Sequence, residues 1–177
     1  MTLPTAKLNL ADFIRDIPDF PQPGILFKDV TPLMREPAAL RATIDRLAEQ
    51  LADLDFDHLV GIESRGFIFG APLAYKLGKG FVPIRKPGKL PYHTERIDYT
   101  LEYGSGSLEV HADALEAGHR AVIIDDLLAT GGTVCATREL LGRLGAEVVA
   151  AAFVVELGFL NGREKLPGLS VRSLLTY

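Results

Sequence analysis

Short apolar runs alternate with helix-period segments along most of this chain. Leu59-Val60-Gly61-Ile62, Phe81-Val82-Pro83-Ile84 and Ala121-Val122-Ile123-Ile124 are too short for core helices. Their length and flanks read as buried strands, as do Glu147–Val155 and the final Val171–Leu175. Between them, Leu40, Ile44, Leu47 and Leu51 form one helical stripe, with Pro37 in its first turn. A second helix is predicted from Phe67 to Leu77, closed by Gly78. A third carries Val134, Thr137, Leu140, Leu141 and Leu144 on one face, with Gly145 as its C′ residue. Pro83 puts its strand near a sheet edge or at a strand end. This alternation predicts an α/β fold, a parallel sheet flanked by helices.

The remaining segments are less regular. Residues 1–8 carry no pattern, and Asn9 is expected to cap a short helix through Asp16, with Leu10, Phe13 and Ile14 inward. Phe20 to Pro32 reads as a surface arm with a turn at Pro23-Gly24. Tyr99–Tyr103 and Ser107–His111 read as a hairpin turning at Gly104-Ser105-Gly106. Such a hairpin suits a lid over a water-sensitive reaction.

At 177 residues the chain is expected to be one domain. Net charge is −4 with no Lys/Arg block, which argues against a nucleic-acid partner. No apolar run approaches ~20 residues and no signal pattern opens the chain, so a cytoplasmic protein without membrane attachment is expected. The single cysteine, Cys135, excludes an intrachain disulfide and is expected to pack as a reduced side chain. The four histidines lack metal-ligand spacing.

The densest candidate chemistry follows the strand at 121–124. Asp125 and Asp126 stand where open α/β sheets bind ligands, and Thr130-Gly131-Gly132-Thr133 leads into a helix. The first N–H groups of a helix lack intrahelical acceptors and carry the positive end of its dipole, so a phosphate gains bonds and charge compensation there. Glycines let the backbone approach closely, and threonine hydroxyls can donate further. The two carboxylates alternate faces, and at least one should reach sugar hydroxyls or a cation's water shell. The plain alternative is a βα turn with a capping threonine. No Walker lysine or GxGxxG fingerprint explains the loop otherwise.

The same strand–loop–helix plan recurs at Glu63-Ser64-Arg65-Gly66. Arg65 at a helix start opposes the dipole unless an anion lies between them, although a simple surface ion pair is the bland reading. Arg85, Lys86 and Lys89 follow the third apolar run among Pro87, Gly88 and Pro91, either as a solubilising patch or as a second anion contact.

The run Val122–Thr133 resembles the phosphoribosyl-pyrophosphate (PRPP) motif of type I phosphoribosyltransferases, and "DDLLATGGT" is similar to the adenine-specific members. "GIESRGFIFG" resembles their pyrophosphate loop, which often holds a cis peptide. "FPQPGILFKDVTP" is similar to their base-covering segment and "LEYG" to their catalytic flap. The likeness spans about residues 10–175, with its motifs in the same order. It implies a type I phosphoribosyltransferase-like sheet with an N-terminal hood over residues 1–35 and a flexible β-hairpin flap over 86–111. It implies transfer of phosphoribose from PRPP to adenine, giving AMP and pyrophosphate. Ala129, Thr130, Gly131, Gly132 and Thr133 would cradle the 5′-phosphate, and Asp125 and Asp126 would face the ribose. Glu63, Ser64, Arg65, Gly66, Arg85, Lys86 and Lys89 would serve pyrophosphate. Leu26, Phe27, Lys28 and Leu127 would meet adenine, Lys28 standing where many members carry Arg. Glu102 would exchange the purine proton and Arg65 would aid departure of pyrophosphate. Mg²⁺ is implied, held by PRPP and water rather than directly by the protein, together with a homodimer. Two alternatives are a 6-oxopurine phosphoribosyltransferase and an inactive PRPP-binding regulator. The first usually carries a Lys soon after the PRPP motif, where this chain offers only Arg138 and Arg143.

Overall fold

A computed structural model describes residues 8–101 and 104–177. In chain order the elements are β1 (Arg15–Pro18), β2 (Leu26–Asp29), α1 (Thr31–Arg35), α2 (Pro37–Leu51), β3 (His58–Ile62), α3 (Arg65–Leu77), β4 (Gly80–Ile84), β5 (Thr94–Leu101), β6 (Gly104–His111), β7 (Arg120–Leu128), α4 (Gly132–Arg143), β8 (Glu147–Glu156) and β9 (Ser170–Thr176). Five strands form one parallel sheet in the order β4-β3-β7-β8-β9. β1–β2 and β5–β6 are separate antiparallel ribbons. The Pro83 strand, β4, lies at a sheet edge, as its proline requires.

The central strand β7 shows why the sheet needs cover on both sides. Its side chains alternate, so Val122 and Ile124 enter one core while Ala121 and Ile123 enter the other. The first core is closed by α1, α2 and α3 through Leu33, Leu47, Leu51, Phe69 and Leu73. The second is closed by Leu140 and Leu141 of α4 together with Ile97, Leu108 and Val110 of the β5–β6 ribbon. Fully burying one such aliphatic side chain contributes about 1.5–3 kcal/mol. Both faces of β7 are therefore spent on packing, and only its carboxyl end is left for chemistry.

Several boundaries differ from the sequence reading. β7 does not stop at Ile124 but runs through the acidic pair to Leu128, because β8 supplies partners at Phe153, Val155 and Glu156. The helix expected through Asp16 is a 3₁₀ turn, Leu10–Phe13, with Asn9 Oδ1 accepting the Ala11 N–H at 3.3 Å. It ends because Arg15–Pro18 pairs instead with β2. Gly104, Ser105 and Gly106 are strand residues opposite Leu101, Thr100 and Tyr99, not a turn. A Cβ on Gly106 would lie 2.8 Å from the Tyr99 ring, so a side chain there would make the ring shift. Cys135 is exposed rather than packed, since α4 turns Val134, Ala136 and Thr137 inward. No helix among the described residues is long and apolar enough to cross a membrane.

Candidate active site

Parallel pairing brings two strand–turn–helix units together at the carboxyl edge. β3 and β7 are neighbours, with Leu59 opposite Val122, so the turns that follow them adjoin. After β3 comes a cis Glu63–Ser64 peptide, and α3 starts at Arg65. The start of α3 is pressed onto β7: a Cβ on Gly66 would fall 2.6 Å from the Ile124 carbonyl oxygen and 3.2 Å from Asp125 Oδ1. Only glycine permits that approach.

The acidic pair divides its duties. Asp126 is 4% exposed and accepts a hydrogen bond from Arg65 Nε. Its backbone N–H donates to Asp125 Oδ1 at 2.9 Å. Burial, and then the negative charge of Asp126, push the Asp125 carboxyl well above the usual carboxylate range, while Arg65 and that N–H pull it down. A cavity of about 250 Å³ lies between the turns, lined by Glu63, Ser64, Arg65, Lys86, Asp125 and Asp126. It adjoins a second of about 480 Å³ that shares Glu63, Lys86 and Asp125 and reaches Tyr99, Ser105 and Thr133. A groove of about 750 Å³ along α2, bordered by Lys76 of α3, contains no residue of either turn.

The predicted pyrophosphate residues do not all face that space. The Glu63 carboxylate accepts the Lys86 N–H at 2.9 Å and the Arg85 Nε at 3.2 Å. The Lys86 N–H first, and Arg85 next, hold its pKa below the usual glutamate value. Arg85 also donates to the Lys89 carbonyl at 3.1 Å. Glu63 and Arg85 thus shape the loop, Lys86 lines the cavity, and the exposed Lys89 lies outside its lining.

The second turn is built differently. Gly131 adopts φ 79°, and no side chain caps α4. The first N–H groups of this helix have no intrahelical acceptors, so they remain a donor set at a positive dipole end. Thr133 Oγ1 lies 3.4 Å from the Tyr99 hydroxyl of the ribbon. A Cβ on Gly131 would stand 2.4 Å from the Gly162 carbonyl oxygen, so the turn is backed by another backbone segment.

The N-terminal ribbon lies at this same edge. Lys28 Nζ donates to Asp16 Oδ1 at 2.6 Å and sits 4.0 Å from the centre of the Tyr177 ring. The Tyr177 N–H in turn donates to the Glu156 carbonyl at the end of β8, at 2.9 Å. Lys28 therefore ties the ribbon to the sheet. Phe27 packs edge-on to Phe20 at 5.2 Å, Leu26 is exposed, and Leu127 is half-buried. Glu102 lies outside the described residues. Asp16, Tyr99 and Tyr177 were not singled out as site residues from sequence. Each acts through a contact distant along the chain, which no local pattern announces. Among the described residues no group of three or more His, Cys, Asp or Glu side chains could hold a metal by itself.

The chain matches the family model for the phosphoribosyl transferase domain over residues 33–166. It is 59% identical to an adenine phosphoribosyltransferase of Alkaliphilus metalliredigens, over 96% of this chain and all of that one. A crystal structure of adenine phosphoribosyltransferase from Thermoanaerobacter pseudethanolicus superposes with a TM-score of 0.93 at 52% identity, covering 95% of this chain and 98% of that one. The Saccharomyces cerevisiae enzyme, solved with an iminoaltritol bisphosphate and adenine, superposes with a TM-score of 0.87 at 43% identity, covering 93% and 96%. Neither a 6-oxopurine enzyme nor a catalytically inactive regulator finds support among these relatives. A match over most of the domain, near-complete coverage at more than half identity and a shared fold lead to one assignment: the chain belongs to the adenine phosphoribosyltransferase family.

Proposed function

We propose that this chain transfers the phosphoribosyl group of PRPP to adenine, yielding AMP and pyrophosphate in purine salvage. The observation that carries this reading is the polar cavity between two adjacent helix N-termini, one bare and one bearing Arg65. The bond from purine N9 to ribose C1 forms as the bond from C1 to the pyrophosphate oxygen breaks. Positive charge develops on the ribose while negative charge collects on the leaving group.

In this reading Ala129, Thr130, Gly131, Gly132 and Thr133 hold the 5′-phosphate on the bare end of α4. Asp125 and Asp126 meet the ribose hydroxyls as hydrogen-bond acceptors. Arg65 and Lys86, with Ser64 and the Gly66 backbone, balance the leaving charge. Lys89 joins them from the loop that Glu63 and Arg85 hold in shape. Leu26, Phe27 and Leu127 face adenine, and Lys28 serves by fixing the ribbon. Glu102 moves the purine proton. Residues 1–35 act as hood and 86–111 as flap, the flap rooted in the second core by Ile97, Leu108 and Val110.

Asp125 and Asp126 are hard-oxygen donors beside the cavity but too few to form a cation cage, which fits Mg²⁺ arriving on PRPP and touching them through water. Bound there, the ion would supply charge neutralisation to the leaving group. A homodimer fits the outer face of α3, which exposes Ile68, Ala71, Pro72 and Tyr75 at helical spacing, Tyr75 at 91%. A cytoplasmic setting belongs to the same reading. The test is nucleotide formation with PRPP, Mg²⁺ and adenine, hypoxanthine, guanine, xanthine or orotate supplied singly. AMP from adenine alone is expected. Turnover of 6-oxopurines instead would overturn the base assignment, and no product from any base would overturn the activity.

A further inference from the structure

Behind the α4 turn runs a segment that belongs to neither anion turn. Leu157 donates its N–H to the Leu128 carbonyl at 2.9 Å, and Gly158 donates to the Tyr177 carbonyl at 2.8 Å. Two short 3₁₀ turns follow, Gly158–Leu160 and Gly162–Lys165, joined by Asn161 at φ 52°. Gly162 is buried, and a Cβ there would lie 2.3 Å from the Ala129 carbonyl oxygen and 3.2 Å from the Gly131 nitrogen. Seen from the other side, a Cβ on Gly131 would meet the Gly162 oxygen at 2.4 Å. The two backbones touch with no side chain between them.

The residue after Gly162 is clamped. Arg163 Nε and Nη2 donate to Glu156 Oε1 and Oε2, each at 2.6 Å, and Nη1 donates to the Val171 carbonyl at 2.8 Å. Glu156 ends β8, is 6% exposed, and also accepts from Ser173 Oγ of β9 at 2.7 Å. A planar fork closing on a buried carboxylate fixes direction as well as distance. Arg138 of α4 donates to the Pro167 carbonyl at 3.0 Å, tying the helix to the same segment.

We propose that Gly162, Arg163 and Glu156 form a brace that holds the backbone of the Ala129–Thr133 turn in its phosphate-accepting shape. Arg163 and Glu156 are positioning residues for PRPP, and neither touches it. The proposal rests on the assignment of that turn to the 5′-phosphate. The physical need is clear from the turn itself. Two successive glycines have the greatest backbone freedom to lose, and no side chain of theirs anchors them. A phosphate bound through N–H groups demands that those groups converge before it arrives. The clamp supplies the missing rigidity from outside the turn.

The test compares Gly162→Ala, Arg163→Ala and Arg163→Lys in the full-length enzyme. The readouts are KM for PRPP, KM for adenine at saturating PRPP, calorimetric affinity for ribose 5-phosphate, and the thermal midpoint. Gly162→Ala forces the turn to move and is expected to raise KM for PRPP by about 100-fold. Arg163→Ala is expected to raise it by about tenfold, with Arg163→Lys between it and wild type because charge is kept and the fork lost. KM for adenine stays unchanged and ribose 5-phosphate affinity falls in step. Should Arg163→Ala fail to fold, Arg163→Lys carries the comparison. An unchanged KM for PRPP in folded variants, or an equal rise in KM for adenine, would overturn the brace. Thr133→Asp, which sets a carboxylate among the N–H donors of the turn, separates the two readings. Lost ribose 5-phosphate binding in it alongside unaffected brace variants overturns the brace alone. Unaltered binding in the aspartate variant overturns the 5′-phosphate assignment and the brace with it.

Discussion

The two turns at the carboxyl edge share a plan and differ in how they handle charge. The turn before α4 brings no charged side chain of its own and exposes bare N–H groups. The turn before α3 places Arg65 where the dipole is already positive, and Asp126 offsets that cost from the neighbouring strand. One turn is therefore a fixed donor set held from behind by other backbone. The other is an ion-pair system that a polyanion would enter by competing with Asp126 for Arg65. The lesson is that equivalent places in a sheet can be built by opposite means, shape in one and paired charge in the other.

That contrast can be broken most forcefully at Gly66. Alanine there would press its Cβ against the Ile124 carbonyl, the one point where the α3 turn depends on shape. Unfolding free energy is expected to fall by about 1–3 kcal/mol, as overpacking usually costs, and kcat/KM for PRPP by about 100-fold. Urea unfolding and initial rates measure both. A variant with wild-type stability and rates would show that this turn has room to spare.

A smaller effect is expected from Arg65→Ala, which leaves the buried Asp126 without its cation. Arg65 is itself nearly half exposed, so water replaces part of the interaction, and the loss of stability should be about 1 kcal/mol. Turnover should fall far more than that stability change accounts for, because the leaving group loses its countercharge. Equal rates for variant and wild type would reduce Arg65 to a structural ion-pair partner.

The smallest effect sharpens the role of the loop. Glu63→Gln removes a carboxylate whose pKa is held down by the Lys86 N–H and by Arg85. A depressed carboxylate stabilises the fold above its unfolded pKa, and the contribution is lost as pH falls through the folded one. Wild type should therefore exceed Glu63→Gln by about 0.5–1 kcal/mol at neutral pH, the margin vanishing in acid below the ordinary glutamate pKa of about 4.3. Urea midpoints in neutral and acidic buffer give the comparison. A margin independent of pH would assign the difference to shape and not to charge.

Much of this was legible in the chain, and the failures have physical causes. Strands and helices built on long periodic runs, such as Leu40–Leu51, stand where the pattern puts them. The end of β7 was hidden because Asp125 and Asp126 look like a turn until β8 provides hydrogen-bond partners beyond them. Gly104-Ser105-Gly106 carries turn chemistry, yet Tyr99 uses the missing Cβ of Gly106 for its own ring. At the site, residue types announced polar and charged groups around one cavity but not their orientation. Nothing local distinguishes Lys86, which lines the cavity, from Arg85 next to it, which turns to Glu63. The resemblance puts Lys28 at the base, whereas Asp16 and Tyr177, 12 residues before it and at the far end of the chain, claim its ammonium.

The pairing of β3 with β7 joins Leu59 to Val122 across an intervening α3, β4 and hairpin. Closing so long a loop is entropically costly until the whole sheet rewards it. The cavity exists only when that pairing has formed, because Glu63, Ser64 and Arg65 follow β3 while Asp125 and Asp126 lie near the end of β7. Catalytic activity should thus serve as an all-or-none reporter of refolding, returning in step with the central sheet and not with the helices, whose contacts are more local.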